Sequence, residues 1–254
     1  MSGRRVTGPA GALVVHDGGQ GGVPVLFTHS LAGNSSHWTA QLEHLRGHRR
    51  AIALNLRAHG GSDAPRDGDY AIASMARDVA ATADALGLDR FVLVGHSMGA
   101  GVAMAYAGAS PERVDRLLLV DSIGDGTQLP AAEMEPFLAA LESPSYQAAI
   151  EGYWATISGP NRAVAERLLR DLRATSREAA VAVLKAVAAF DPKPALAAYR
   201  GPALAVVTPS NDYPFSLHRL GAGMPHRVVE CTGHWLHLDK PEEFNRILDR
   251  FFEE

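Results

Sequence analysis

A single cysteine, Cys231, stands among 254 residues, so no disulfide can form within the chain. That scarcity fits a reducing, cytoplasmic setting. Positive charge is not in excess either: 24 Lys and Arg against 28 Asp and Glu leave a net charge of −4, which offers nucleic acid no basic field. No apolar run is long enough to span a bilayer. Met1 to Arg5 is basic, but no apolar segment of signal-peptide length follows it. Internal repeats and low-complexity linkers are lacking too. What remains is a chain that is 46% hydrophobic and long enough to bury the core of one α/β domain.

Within that chain, Gly95-His96-Ser97-Met98-Gly99 is the most telling stretch. Phe91 to Val94 before it is an apolar run of strand length, and Ala100 to Tyr106 after it is a helix opening on small residues. A serine on a sharp strand-to-helix turn is lifted clear of the sheet, where its Oγ can act as a nucleophile. The flanking glycines let strand and helix pass where a Cβ would clash. The next backbone N–H, on Met98, faces the same space and can stabilise an oxyanion.

The rest of the pattern is α/β. Ala12–Val15, Val23–Thr28, Arg50–Leu56 and Val114–Val120 read as strands. Ser35 or Ser36 caps a helix running to about Arg46, and 72–86 is amphipathic with Gly87 just past its end. Continuously apolar strands alternating with helices predict a mostly parallel sheet covered on both faces. The alternation stops from about Ser122 to Tyr199, where four helices are expected near 131–142, 145–157, 161–174 and 176–190. It resumes with strands at 201–207 and 226–230 and a closing helix from Pro241 to Phe252. The expected division is a core of 1–121 and 201–254, with 122–200 as a helical lid over the strands' C-terminal ends, where α/β folds place ligands.

Ser97 needs a base, since a hydroxyl is a weak nucleophile at neutral pH. His234 follows the last expected strand and so lies at the sheet edge that bears the serine. His96 should point away from the nucleophile, and His237 reads as a surface or supporting residue. His44 and His48 share a helix face without a third metal ligand. Cys231 lacks an elbow and reads as a buried strand-end thiol. The base in turn needs a carboxylate to hold its tautomer. Asp212 and Asp121 both follow strands on the correct side of the sheet. The chain order Ser97, Asp212, His234 favours Asp212, and Asp121 then caps the segment entering the lid.

These motifs together resemble the α/β-hydrolase superfamily, specifically its small lidded bacterial members. Phe27-Thr28-His29-Ser30-Leu31-Ala32-Gly33 is similar to the family's oxyanion loop, and Leu54 to Asp63 to its Asp-x-Arg-Gly-His-Gly-x-Ser loop. Gly233-His234-Trp235 with Lys240 to Phe244 is similar to its histidine loop and closing helix. The resemblance implies Ser97 as nucleophile, His234 as base and Asp212 as acid, with the N–H groups of Leu31 and Met98 forming the oxyanion hole. Ser30, Asn55 and Ala58 depart from the family's glycine, aspartate and glycine. The stretch from Asp212 to His234 is also shorter than is typical, which keeps Asp121 in play.

The expected activity is a cofactor-free serine esterase or lactonase acting on a small neutral substrate, in a monomer or homodimer that binds neither nucleic acid nor membrane. Phe137, Tyr146, Tyr153, Trp154 and Phe190 of the lid, with Trp38 and Trp235, predict an apolar pocket. C–C bond hydrolysis, perhydrolysis, acyl transfer and lyase chemistry use the same triad. A ligand sensor with a slow triad is the non-enzymatic alternative.

Overall fold

The computed structural model describes residues 3–220 and 223–253; Met1 and Ser2 of the basic start lie outside them. Its strands are β1 (Arg4–Gly8), β2 (Gly11–Gly18), β3 (Val25–Thr28), β4 (Ala51–Leu54), β5 (Phe91–His96), β6 (Val114–Val120), β7 (Ala203–Val207) and β8 (His226–Val228). They form one sheet in the order β1-β2-β4-β3-β5-β6-β7-β8. The β1–β2 and β2–β4 pairs are antiparallel, and every pair from β4 onward is parallel.

Alternation along the buried strands divides the core in two. Leu93, Leu117 and Leu119 face the cluster that holds α2 (Ile72–Ala85) and α3 (Met98–Ala109). Val92, Val94, Leu118 and Val120 face α1 (Thr39–Leu45) and the closing helix. Both faces are apolar because both are covered, as a parallel sheet requires.

The expected break in the alternation is present. Between β6 and β7 lie α4 (Ala131–Glu142), α5 (Tyr146–Ile157), α6 (Arg162–Ala174), α7 (Arg177–Ala188) and the short α8 (Lys193–Ala198). The first four match the expected helices to within a few residues. Asn161 and Ser176 cap α6 and α7 by accepting their first free backbone N–H groups. α8 is not expected from the sequence, because six residues are too few to show a helical period. It packs on α3, where a Cβ on Gly108 would come within 2.6 Å of the Cα of Ala195. β1 has no strand signature in the sequence either, since the buried Val6 is its one apolar side chain. The helix expected after Ser35 or Ser36 starts instead as a 3₁₀ turn, Ser35–Trp38, capped by the side chain of Asn34. After β8 come α9 (Leu236–Asp239) and α10 (Pro241–Glu253), and α10 buries Phe244, Leu248 and Phe251 against the sheet.

Candidate active site

Ser97 sits between β5 and α3 with φ 54° and ψ −116°, a conformation that costs a non-glycine residue energy and persists where its surroundings impose it. Close packing supplies that constraint. A Cβ on Gly99 would lie 2.6 Å from the carbonyl oxygens of Thr28 and His29, and one on Gly95 would overlap the Gly99 carbonyl. Thr28 Oγ1 donates to that same carbonyl at 3.0 Å. Met98 is the first residue of α3, so its N–H belongs to the helix turn whose donors have no intrahelical acceptor.

The loop after β3 is equally constrained. The His29 ring accepts at Nε2 from the Leu56 N–H (3.0 Å), and its Nδ1 donates to the Ser30 carbonyl (2.7 Å). Burial holds this imidazole well below its usual titration range. Ala32 takes φ 56°, and the Gly33 N–H closes the turn onto the Ser30 carbonyl at 2.9 Å. Leu31 is buried within this turn. The departures from the family pattern are accommodated. The Ser30 hydroxyl accepts from the Trp235 indole N–H at 3.0 Å, so it links the two loops. Asn55 takes the Ser35 N–H at Oδ1 and donates from Nδ2 to the Gly60 carbonyl, a two-way role that a carboxylate could not fill. Ala58 adopts φ 61°, where the family's glycine would be unstrained.

His234 follows β8 and lies beside the elbow, its ring 4.6 Å from that of His96, the neighbour of Ser97. His234 Nδ1 is 2.7 Å from Asp121 Oδ2. Asp121 immediately follows β6, the strand next to β5, and is turned by φ 41° toward the histidine loop. Its other oxygen accepts from the Thr208 N–H (2.8 Å), the Thr208 hydroxyl (3.1 Å) and Asn211 Nδ2 (3.1 Å).

The structure does not bring Asp212, the expected acid, to His234. Thr208 and Asn211 turn inward to Asp121, so the next residue is carried past the turn to the surface. There Asp212 makes a bidentate pair with Arg219, both bonds 2.7 Å, and a 3.1 Å contact with His218. These donors hold its carboxyl well below the usual carboxylate range. The loop after β7 supplies donors to Asp121, and Asp121, just past β6, is the carboxylate that meets His234. The sequence signal was Asn211, an amide next to the expected acid, together with the shortened approach to His234.

Other candidates resolve plainly. His237 is fully buried and stacks on Trp38 at 4.2 Å. His44 pairs with Asp249 at 2.8 Å, and no metal-binding cluster occurs among the described residues. Cys231 is exposed rather than buried, with φ 55°. Trp154 is buried against Trp235, ring centroids 5.7 Å apart. The cavity over Ser97 is lined by Ile72, Met98, Gly101, Ser122, Val187 and Phe190. Its free volume is about 10 Å³, roughly the room of one water.

Comparison with known proteins agrees with the fold. The family model of the alpha/beta hydrolase fold matches residues 23–241. The dihydrolipoyllysine-residue acetyltransferase component of the acetoin cleaving system of Cupriavidus necator is 30% identical over 91% of this chain. This chain spans 64% of that relative's length. A putative carbamate hydrolase, RutD of Agrobacterium fabrum, is 26% identical over 89% of this chain and 92% of its own. The structure of Est816, described as an N-acyl homoserine lactone degrading enzyme, superposes with a TM-score of 0.83 at 26% identity, covering 98% of this chain and all of that one. The chain belongs to the alpha/beta hydrolase family.

Proposed function

We propose that this protein is a serine hydrolase of small neutral carboxylic esters or lactones, working through an acyl-enzyme on Ser97. The observation that carries this reading is the Asp121–His234 pair held beside a strained serine elbow. Asp121 Oδ2 accepts from His234 Nδ1, which leaves Nε2 unprotonated as the base for the Ser97 hydroxyl. Oγ attacks the carbonyl carbon, and the carbonyl π pair moves onto oxygen, where the Met98 and Leu31 N–H groups stabilise it. Collapse expels the alcohol oxygen, which takes the proton from His234 Nε2. Water, deprotonated by the same nitrogen, attacks the acyl-enzyme, releases the acid and regenerates Ser97.

The helices between β6 and β7 serve as a lid: Val187 of α7 and Phe190 just beyond it wall the cavity against Ile72 of the core. Apolar walls and little free volume favour uncharged substrates that present a small group at this end. The likeness to Est816 brings lactones within the substrate class. The test is hydrolysis of p-nitrophenyl acetate and a series of neutral lactones, with mass spectrometry for an acyl adduct on Ser97. No turnover in the wild type, or undiminished turnover in Ser97→Ala, would overturn the reading.

A further inference from the structure

His96 has no part in the chemistry above, yet its placement is specific. It is the last residue of β5, next to Ser97, and is fully buried. Its Nε2 lies 2.9 Å from the main-chain oxygen of His234. A carbonyl only accepts, so Nε2 carries the proton and donates. Burial, with the rings of His234 and His237 packed on it at 4.6 and 4.8 Å, holds His96 well below the ordinary histidine range. The ring is therefore neutral whenever His234 takes up its catalytic proton, and adds no second positive charge beside the imidazolium.

The His234 main chain is gripped from two sides. Its N–H donates to the Ile157 carbonyl at the end of α5 (2.8 Å), and its C=O receives His96. The first grip comes from the helical insertion. The second comes from the nucleophile's own strand. We propose that His96 is a positioning residue for the base: its hydrogen bond to the His234 carbonyl ties the histidine loop to the strand that carries Ser97 and so holds the imidazole beside the elbow. This rests on the serine-hydrolase reading of the same site.

His96→Leu removes the donor at similar volume, and His96→Gln keeps an N–H near the position of Nε2. Ester hydrolysis by His96→Leu should show kcat lowered by about 10- to 100-fold with KM nearly unchanged, the scale of a misplaced catalytic group. Labelling of Ser97 by a fluorophosphonate should slow in parallel. His96→Gln should recover most of both. A His96→Leu enzyme within twofold of wild type in kcat and labelling would overturn the proposal, as would a His96→Gln enzyme that folds but is as slow as His96→Leu. If His96→Leu does not fold, His96→Gln decides alone: kcat and Ser97 labelling near wild type support the proposal, and a folded His96→Gln slowed more than about tenfold in both overturns it. Loss of activity in Ser97→Ala, measured alongside, separates failure of this inference from failure of the serine mechanism.

Discussion

Replacing Asp121 with asparagine tests the arrangement around His234 at its least expected point. The asparagine Oδ1 still accepts from the Thr208 N–H and hydroxyl, so the end of β6 keeps its anchors and the fold should survive. The other half of the side chain becomes an NH2 donor facing His234 Nδ1, 2.7 Å away in the native protein. Two donors cannot share that line, so the imidazole must present Nδ1 as acceptor and place its proton on Nε2. That nitrogen then cannot take the serine proton, and the imidazolium loses its countercharge. Loss of tautomer control is worth on the order of 10⁴ in kcat, about 5.5 kcal/mol of transition-state stabilisation. Asp212→Asn, by contrast, disturbs an exposed pair with Arg219 and should leave kcat within about twofold of wild type. The assay is steady-state hydrolysis of p-nitrophenyl acetate, with thermal unfolding as the control for folding. Retention of more than about one hundredth of kcat in a folded Asp121→Asn would refute the reasoning, as would an equal loss in Asp212→Asn.

Ser97→Ala should abolish turnover by several orders of magnitude and barely move the melting temperature, since Oγ adds little packing at the turn. Gly99→Ala should destabilise the protein in urea titrations, because a Cβ there meets the Thr28 and His29 carbonyl oxygens at 2.6 Å. Trp154→Ala should cost about 3–5 kcal/mol of stability by opening a void against Trp235. Because Trp154 lies outside the cavity lining, the ratio of kcat/KM between short and long acyl esters should stay flat. For pH, burial lowers His29, His96 and His237 below their unfolded value of 6.5. Below that pH the unfolded chain binds protons the native state refuses, so stability falls as pH drops, by up to about 1.4 kcal/mol per pH unit for each such histidine. Urea midpoints measured from pH 7.5 to 5 should decline accordingly, and a flat profile would count against neutral burial of these rings.

Local patterning was enough for much of this protein. The glycines of Gly95-His96-Ser97-Met98-Gly99, set between an apolar strand and a small-residue helix, define the elbow because steric exclusion acts between near neighbours. The apolar runs of β3 through β7 mark a parallel sheet because each must be dry on both faces. Capping and proline signals located α4 to α7 within a few residues, since helix ends are satisfied locally. The partner of His234 was a different kind of question. Asp121 and Asp212 both follow strands at the same edge, and strand order in the chain does not say which carboxylate turns inward. That depends on Thr208 and Asn211, whose side chains close on Asp121 and carry Asp212 past the turn to Arg219. The burial of His237 on Trp38 and the reach of His96 to the His234 carbonyl were equally beyond the sequence. The contacts of Asp121, His96 and His237 join residues from 87 to 199 positions apart. Hydrogen-bond geometry fixes them only once the sheet has brought those segments together.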